Sequence, residues 1–364
     1  MEWSSSVDPK GIHTDAEEGV IIKPLVSILI PAYNAEVWIA ETLRSAIAQT
    51  WEPKEIIVVD DGSTDRTLAI AQQFASDQLR VVVQPNQGAS AARNTALSLC
   101  HGNYIQYLDA DDLMAPDKIE RQIEALGPSP DSRILLSGSW GRFMYRYYRT
   151  EFIPSALWCD LPPVEWLLRK MQMNLYMQTA TWLVSRELAQ EAGLWDTRLL
   201  VDDDGEYFCR VLLACNKVQF VSEAKVYYRT SGPNSLSYIG HSDRKKVALL
   251  CSLELHIQYI RSLEDSPRVR AACVTYLQNW VYFFYPDRPD LMKHVERIAE
   301  CLGGQLVRPT LSWKAVWTSI LVGRQRAKRA QVLLAQMKWS LARLLDMFLF
   351  QVDGRRLKQK MARS

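Results

Sequence analysis

Residues 103–112 read Asn-Tyr-Ile-Gln-Tyr-Leu-Asp-Ala-Asp-Asp, and the fold turns on how this stretch is taken. The apolar run from Tyr104 to Leu108 has the length and composition of a strand buried on both faces, as in a parallel α/β sheet. It stops in three carboxylates, Asp109, Asp111 and Asp112. Ligands of parallel sheets sit just beyond the carboxyl ends of the strands. Acids packed this closely repel one another unless a cation or a set of hydrogen bonds offsets their charge. Oxygen donors of this kind suit Mg2+ or Mn2+, and Mg2+ commonly takes one or two carboxylates and completes its shell with substrate phosphates. An acidic turn that caps a helix after Ala115-Pro116-Asp117 is the other reading of the same residues.

Toward the N-terminus the same grammar repeats. Residues 25–30 form an apolar, β-branched run closed by Pro31-Ala32-Tyr33-Asn34. Residues 36–49 then carry helical periodicity, with Val37, Ala40, Leu43 and Ile47 three or four apart. A second buried strand, 55–59, ends in Asp60-Asp61-Gly62-Ser63-Thr64-Asp65, and Thr64 or Asp65 would cap a helix reaching about residue 75. A third strand, 79–83, ends in Gln84-Pro85-Asn86-Gln87-Gly88, and a helix over 89–99 leads into the central run. Four strands alternating with helices predict an α/β fold with a Rossmann-like, mainly parallel, twisted sheet covered by helices on both faces. If the strands are parallel, Asn34, Asp60, Arg93 and Asp109 to Asp112 share one crevice at the edge of the sheet.

Beyond residue 127 the pattern is less regular. Residues 133–140 and 141–148 are expected as an antiparallel pair, 163–173 as a helix, and 179–184 as a strand followed by a helix from Arg186. Asp202-Asp203-Asp204-Gly205-Glu206 opens an apolar helix running to Ala214, and 218–221 and 225–228 read as strands. From Ser242 the chain reads as helical throughout. Acids at a helix N-terminus favour the macrodipole, each by roughly 0.3–1 kcal/mol. One acid suffices for capping, so this second cluster is also a candidate source of a general base.

The 364 residues exceed the usual single-domain size, and the formal net charge is only +2. Its distribution is uneven. Residues 311–364 hold twelve Lys/Arg and two Asp, a net of +10, which leaves about −8 for the rest. Seven cysteines are scattered without a Cys-x-x-Cys pair, which fits a reducing compartment and unpaired thiols. Residues 1–19 are polar and acidic without an apolar signal core, and no run of about eighteen apolar residues occurs. A cytoplasmic location, soluble or peripheral on the membrane, is expected, and nucleic acid is not expected among the partners. No Gly-x-Gly-x-x-Gly follows the first strand, which argues against a dinucleotide-dependent oxidoreductase, and the P-loop signature is absent.

Taken together, Pro31-Ala32-Tyr33-Asn34, Asp60-Asp61-Gly62-Ser63-Thr64-Asp65, Asn86-Gln87-Gly88 with Ala92-Arg93-Asn94, and Leu108-Asp109-Ala110-Asp111-Asp112 resemble, in order and spacing, the inverting family 2 glycosyltransferases of GT-A fold. Gly193-Leu194-Trp195-Asp196, Asp203-Asp204-Gly205-Glu206 with Arg210, Tyr228-Arg229 and Asn234-Ser235-Leu236-Ser237 resemble that family's later motifs. The resemblance covers about residues 25–237.

It implies a nucleotide-sugar donor, with a UDP-sugar expected, bound by Pro31, Ala32, Tyr33, Asn34, Asp60, Gly62, Ser63, Asn86, Gly88, Arg93, Asn94, Asp109, Ala110 and Asp111. It makes Asp109 and Asp111 the D-x-D pair that would hold Mn2+ or Mg2+, and Asp204 the catalytic base. Trp182, Trp195 and Asp203 are guesses for the sugar and acceptor pocket, with residues 141–148 as a further part of its wall. The acceptor would be a glycan or a lipid-linked molecule, in polysaccharide, glycolipid or other cell-surface glycan synthesis. A polyprenyl-phosphate transferase of the same fold and an inactive nucleotide-sugar-binding module remain alternatives.

Two departures stand out: Asp203 replaces the usual Glu, and Ser231 replaces a His found in many members, with His241 a weak substitute. The expected division is a flexible extension over 1–23, a GT-A domain over 24–240, and a helical region over 241–364. Within the domain, 24–127 would be the nucleotide-sugar half and 128–240 the acceptor half.

The resemblance does not explain the tail. Leu333, Met337, Leu341, Leu344, Leu345 and Phe348 lie three or four apart on one helical stripe, with Arg324, Arg326, Lys328 and Arg329 just upstream. Such a helix lies on an anionic membrane, packs on its own protein, or pairs with a second copy in a homodimer.

Overall fold

The computed structural model describes residues 23–127, 131–230, 239–240, 242–309 and 337–353. Its first part alternates β1 (Val26–Ala32), α1 (Ile39–Ile47), β2 (Lys54–Asp60), α2 (Thr67–Gln72), β3 (Leu79–Val83), α3 (Ala89–Leu99) and β4 (Tyr104–Tyr107). There follow β5 (Leu113–Met114), α4 (Lys118–Ala125), β6 (Ile134–Phe143), α5 (Pro163–Met173), β7 (Val184–Ser185) and α6 (Arg186–Ala192). Next come α7 (Asp203–Ala214), β8 (Lys217–Arg229), α8 (Asp243–Leu263), α9 (Pro267–Phe284) and α10 (Pro289–Cys301). A further helix, α11, spans 337–353.

The main sheet has the order β3-β2-β1-β4-β7, with β1 to β4 parallel and β7 antiparallel to β4. Its strands are apolar on both sides because both faces are covered. Val26, Ile28, Ile30, Ile56 and Val58 join one core layer with Ile39 and Leu43 of α1. Leu29, Ile57, Val59, Ile105 and Tyr107 join the other, with Ala92 and Ala96 of α3 and much of α5 to α10. Each such side chain fully buried contributes roughly 1.5–3 kcal/mol. The helices of 243–301 therefore share one apolar core with the sheet. No helix among the described residues is long and apolar enough to cross a membrane.

Register brings the strand ends level. Ala32 lies opposite Asp60, Asp60 opposite Val83, and Leu29 opposite Tyr107. The backbone continues the alignment past the strands, with Asp61 N–H donating to Ala32 O and Leu108 N–H to Leu29 O. The expected common edge is thus formed.

The second sheet, β5-β8-β6, corrects three expectations. Residues 133–148 do not fold back as an antiparallel pair: β6 is one strand, running parallel to β8. Its glycines are points of close approach rather than turns. A Cβ on Gly138 would lie 2.2 Å from Ala224 O, and one on Gly141 would lie 2.5 Å from Glu151 O. The two strands expected at 218–221 and 225–228 are one, β8, interrupted by a register shift opposite Gly138 and Ser139. Ser139 Oγ donates to Ser222 O across that irregularity at 2.8 Å. Residues 179–184 form a 3-10 turn, Thr179–Thr181, before the short β7. There the Gln178 side chain accepts from Ala180 N–H and Thr181 Oγ1 donates to Gln178 O. Local bonds of this kind compete with a strand ladder.

Gly138→Ala tests the close approach. It should cost about 1–3 kcal/mol, the usual range for overpacking, seen as a lower Tm and denaturant midpoint. An unchanged midpoint would mean that β6 and β8 are not in this contact.

Candidate functional site

Four loops meet at the carboxyl edge of the parallel sheet, and hydrogen bonds between them set their shape. Asn34, in the left-handed region at φ 48°, accepts from Thr64 N–H through Oδ1 at 2.8 Å, and its own N–H donates to Ser63 Oγ. Asp61 Oδ1 accepts from Gln84 Nε2 and Gln87 N–H, and Oδ2 accepts from Gly88 N–H, each at 2.8–2.9 Å. Asn86 Nδ2 donates to Asp61 O. Gly62 sits at φ 70°, and a Cβ there would lie 2.9 Å from Asn86 N, so the turn requires glycine. Asn34, Asn86 and Asp61 thus brace the loops. The brace leaves a buried acceptor behind: Asp60 Oδ2 takes Ser63 N–H at 3.0 Å, while Oδ1 has no partner among the described residues. Beside it, Pro31 and Ala32 close β1, and Tyr33 is 49% exposed.

The fourth loop holds the acids of the opening stretch, and they divide by burial. Asp112 is fully buried, accepting from Arg229 N–H at 2.7 Å and from Gln178 Nε2 at 2.5 Å. Burial, and then the charges of Asp111 and Asp109, push its carboxyl well above the usual range. It belongs to the scaffold. Ala110 fixes the loop by accepting from Thr42 Oγ1. The buried Arg229 does more. Its Nε donates to Asp111 O at 2.7 Å, Nη1 to Met144 O, and Nη2 to Glu41. Its guanidinium carbon lies 4.1 Å from the ring centre of Trp38 and 4.3 Å from that of Phe143.

Arg93, on α3, joins this loop to the second acidic cluster. Nη2 donates to Asp109 and Nη1 to Asp203, both at 2.8 Å, over the ring of Trp195. Burial opposes its charge, but Asp109 and Asp203 outweigh it and hold the guanidinium pKa above the ordinary value. Asp203 also accepts from Ser90 Oγ, so it binds Arg93 and α3. Asn94 supports the same corner, exchanging two bonds with the Trp195 backbone at 2.8 and 2.9 Å.

Asp204, one residue on, is held at the start of α7. Its Oδ2 accepts from Thr179 Oγ1 at 3.1 Å and its Oδ1 from Gly205 N–H at 2.9 Å. Burial first, then Asp203 and Asp202, push its carboxyl up to about 7; Arg93 pulls down and Asp109 adds to the rise. A carboxyl in that range is matched to general-base work near neutral pH. Asp202 faces the other way. At φ 56° it accepts from Ser252 Oγ at 2.6 Å and lies 3.6 Å from His256 Nδ1, tying α7 to α8. Burial and Lys170 push His256 down to about 4 against Asp202.

Two sequence-based guesses need correction. Trp182 is 1% exposed and stacks on Phe208, and Trp195 stacks on Tyr207 at 4.1 Å. Both are core side chains and leave no face for a sugar. Gln178, Thr179, Ser90, Glu41 and Trp38 were not singled out from the sequence, because each acts through a partner distant in the chain. Ser231, Asn234 to Ser237 and His241 lie outside the described residues.

Among the described residues no three His, Cys, Asp or Glu side chains converge on one position. Asp109 and Asp111 offer at most two carboxylates, which fits a Mg2+ or Mn2+ ion whose remaining ligands are phosphate and water.

A parallel sheet with braced acidic loops at its carboxyl edge, faced by a second acidic helix start, is the architecture of the GT-A fold. Residues 27–160 match the sequence profile described as Glycosyl transferase family 2. An uncharacterized glycosyltransferase of Rickettsia prowazekii is 32% identical over 193 residues, 50% of this chain and 57% of that protein. The putative teichuronic acid biosynthesis glycosyltransferase TuaG of Bacillus subtilis is 44% identical over 105 residues, 28% of this chain and 42% of that protein. These matches span roughly half of the relatives' length. Among solved structures, S. aureus TarS 1–349 in complex with UDP superposes with a TM-score of 0.56 at 18% identity. That match covers 83% of this chain and 80% of the other, and it bears on the fold. Over residues 27–160 the chain is therefore similar to glycosyl transferase family 2.

Arg93→Met should destabilise by about 3–5 kcal/mol, because it leaves two partly buried carboxylates without their cation. Arg93→Lys should recover only part of this, since an ammonium lacks the fork that spans both acids. Calorimetric Tm values for the two variants check the order; equal Tm values for both variants and the parent would overturn the bridge.

Proposed function

We propose that the chain transfers a sugar from a nucleotide-diphospho-sugar of the UDP class to an acceptor hydroxyl, with inversion at the anomeric carbon, in cell-surface glycan synthesis. The observation that carries this reading is the Arg93 bridge, which sets the Asp109 loop and the start of α7 on one crevice. A group recognised by the first and a proton accepted by the second are then within one site.

The base of the donor would lie against Tyr33, with an imide N–H donating to the unpartnered Asp60 Oδ1. A buried acceptor without a donor costs roughly 1–3 kcal/mol, which a bound base would relieve. Asp109 and Asp111 would hold the divalent cation, and such a cation, when bound, neutralises charge on a departing nucleoside diphosphate. Arg229 keeps Asp111 in place through its backbone carbonyl. Asp204 would accept the proton of the acceptor hydroxyl as the new carbon–oxygen bond forms. The anomeric carbon's bond to the diphosphate breaks on the opposite side, and the diphosphate leaves with the electron pair. One displacement inverts the centre and needs no covalent intermediate on the protein. A phosphate acceptor would not need a base, so a carboxyl poised near neutrality favours a hydroxyl. The kinship with TuaG supports the cell-surface glycan class.

Asp204→Asn should lower turnover by about 10²–10⁴-fold while leaving nucleotide binding intact. Turnover of the parent should rise with pH through about 7 as Asp204 loses its proton. Stability runs the opposite way. Between about pH 4 and 7 the folded chain keeps a proton at Asp204 that the unfolded chain has released, so stability falls as pH rises. Asp204→Asn should therefore raise Tm at pH 8 and change it little below about pH 4.

Donor binding is read separately, as a thermal shift with UDP, GDP and their sugars, with and without Mn2+. A Mn2+-dependent shift with a uridine nucleotide is expected, and Asp111→Asn should remove its Mn2+-dependent part. No shift with any nucleotide would overturn the proposal.

A further inference from the structure

The helix α11 docks on the rest of the chain by its polar side. Asp346 Oδ1 accepts from Arg146 Nε at 2.7 Å, and its Oδ2 from Tyr145 N–H at 2.9 Å. Asp353 accepts from Tyr148 OH at 2.7 Å, and Arg343 Nε donates to Tyr145 OH at 3.1 Å. The opposite stripe, Met337, Leu341, Leu344, Leu345 and Phe348, is 56–66% exposed. A water-soluble amphipathic helix normally turns its apolar stripe inward. Here that orientation is inverted, and five large apolar side chains form one outward row.

Charge says what covers this row. Asp346 and Asp353 are the only acids between residues 311 and 364, and both are spent on contacts with Tyr145, Arg146 and Tyr148. The same span carries twelve Lys/Arg, eight of them in the runs 324–329 and 355–360 that flank α11 in sequence. An apolar row flanked in sequence by a net positive charge fits the interface of an anionic bilayer, which takes apolar side chains into the acyl boundary and attracts Lys and Arg to its headgroups. A protein partner would have to be strongly acidic beside its apolar patch. A second copy would bring the same positive charge and be repelled.

We propose that α11 is a membrane-surface anchor, with its Met337–Phe348 row immersed in an anionic lipid leaflet and its acidic side holding the catalytic-type domain. The anchor reaches the site by direct contacts. Tyr145 packs on Trp38 with ring centres 5.3 Å apart, and Trp38 lies on Arg229, which holds the Asp111 carbonyl. The proposal does not depend on the transferase reading, because its test measures only partition onto lipid.

The full chain is floated with vesicles of phosphatidylcholine alone and with about 30 mol% phosphatidylglycerol, at roughly 0.1 M and 0.5 M salt, where electrostatic screening differs. The parent should partition at least about tenfold more strongly onto the anionic vesicles, and less at the higher salt. The triple variant Leu341→Glu, Leu344→Glu, Phe348→Glu should lose about tenfold or more of that partition. Its Tm and circular dichroism should match the parent, since the row supports no described contact that fixes the fold. No parent binding, or equal binding by the triple variant, would overturn the anchor. So would a parent dimer in light scattering that the triple variant converts to monomer without any vesicle binding by the parent, which would assign the row to a second copy.

Discussion

The site depends on one guanidinium between two carboxylates. Without Arg93, Asp109 at the end of β4 and Asp203 at the start of α7 would be like charges facing each other across the crevice, and the loops would separate. With it, repulsion becomes cohesion, and the bridge is dry enough for the attraction to matter because Trp195 forms its floor. Asn94 then holds the Trp195 backbone. The α3 helix therefore positions two acidic clusters far apart in sequence with two adjacent residues.

A similar economy governs the other acids. Carboxylates close together in sequence have different fates because their surroundings differ. Asp112 is buried among N–H donors and becomes scaffold, whereas Asp109 and Asp111 remain at the crevice. Asp61 closes a loop while its neighbour Asp60 keeps an oxygen unpartnered. Asp202 turns to α8 while Asp204 faces Thr179. Composition alone marks such clusters as charged. The division of labour within them is set by which backbone amides and side chains reach each oxygen.

That distinction also marks what was legible in the sequence. The parallel strands could be read because runs such as 25–30 and 55–59 are almost continuously apolar, a pattern with few alternatives. The helix expected at 163–173 is present as α5. The second sheet was not, because Gly138 and Gly141 look like turn signals, and only the presence of Ala224 and Glu151 reveals them as gaps for a neighbour. At the site, the acids and Arg93 were visible as local motifs. Thr179, Gln178 and Glu41 were not, since nothing near them in the chain announces a partner. The two tryptophans misled for a related reason: a large aromatic near a motif reads equally as a wall or as a core, and burial alone separates them.

The contact of Asp202 with Ser252 and His256 has a consequence for how such chains diverge. The orientation of the α7 start is fixed partly by a helix some fifty residues downstream. The 243–301 helices are therefore part of the frame that aims Asp204. A chimera that exchanged those helices with a relative's would transplant one half of a joint whose other half stayed behind. Drift on either side of that joint is constrained by the other, so tolerated change has to arise in surfaces that leave it untouched.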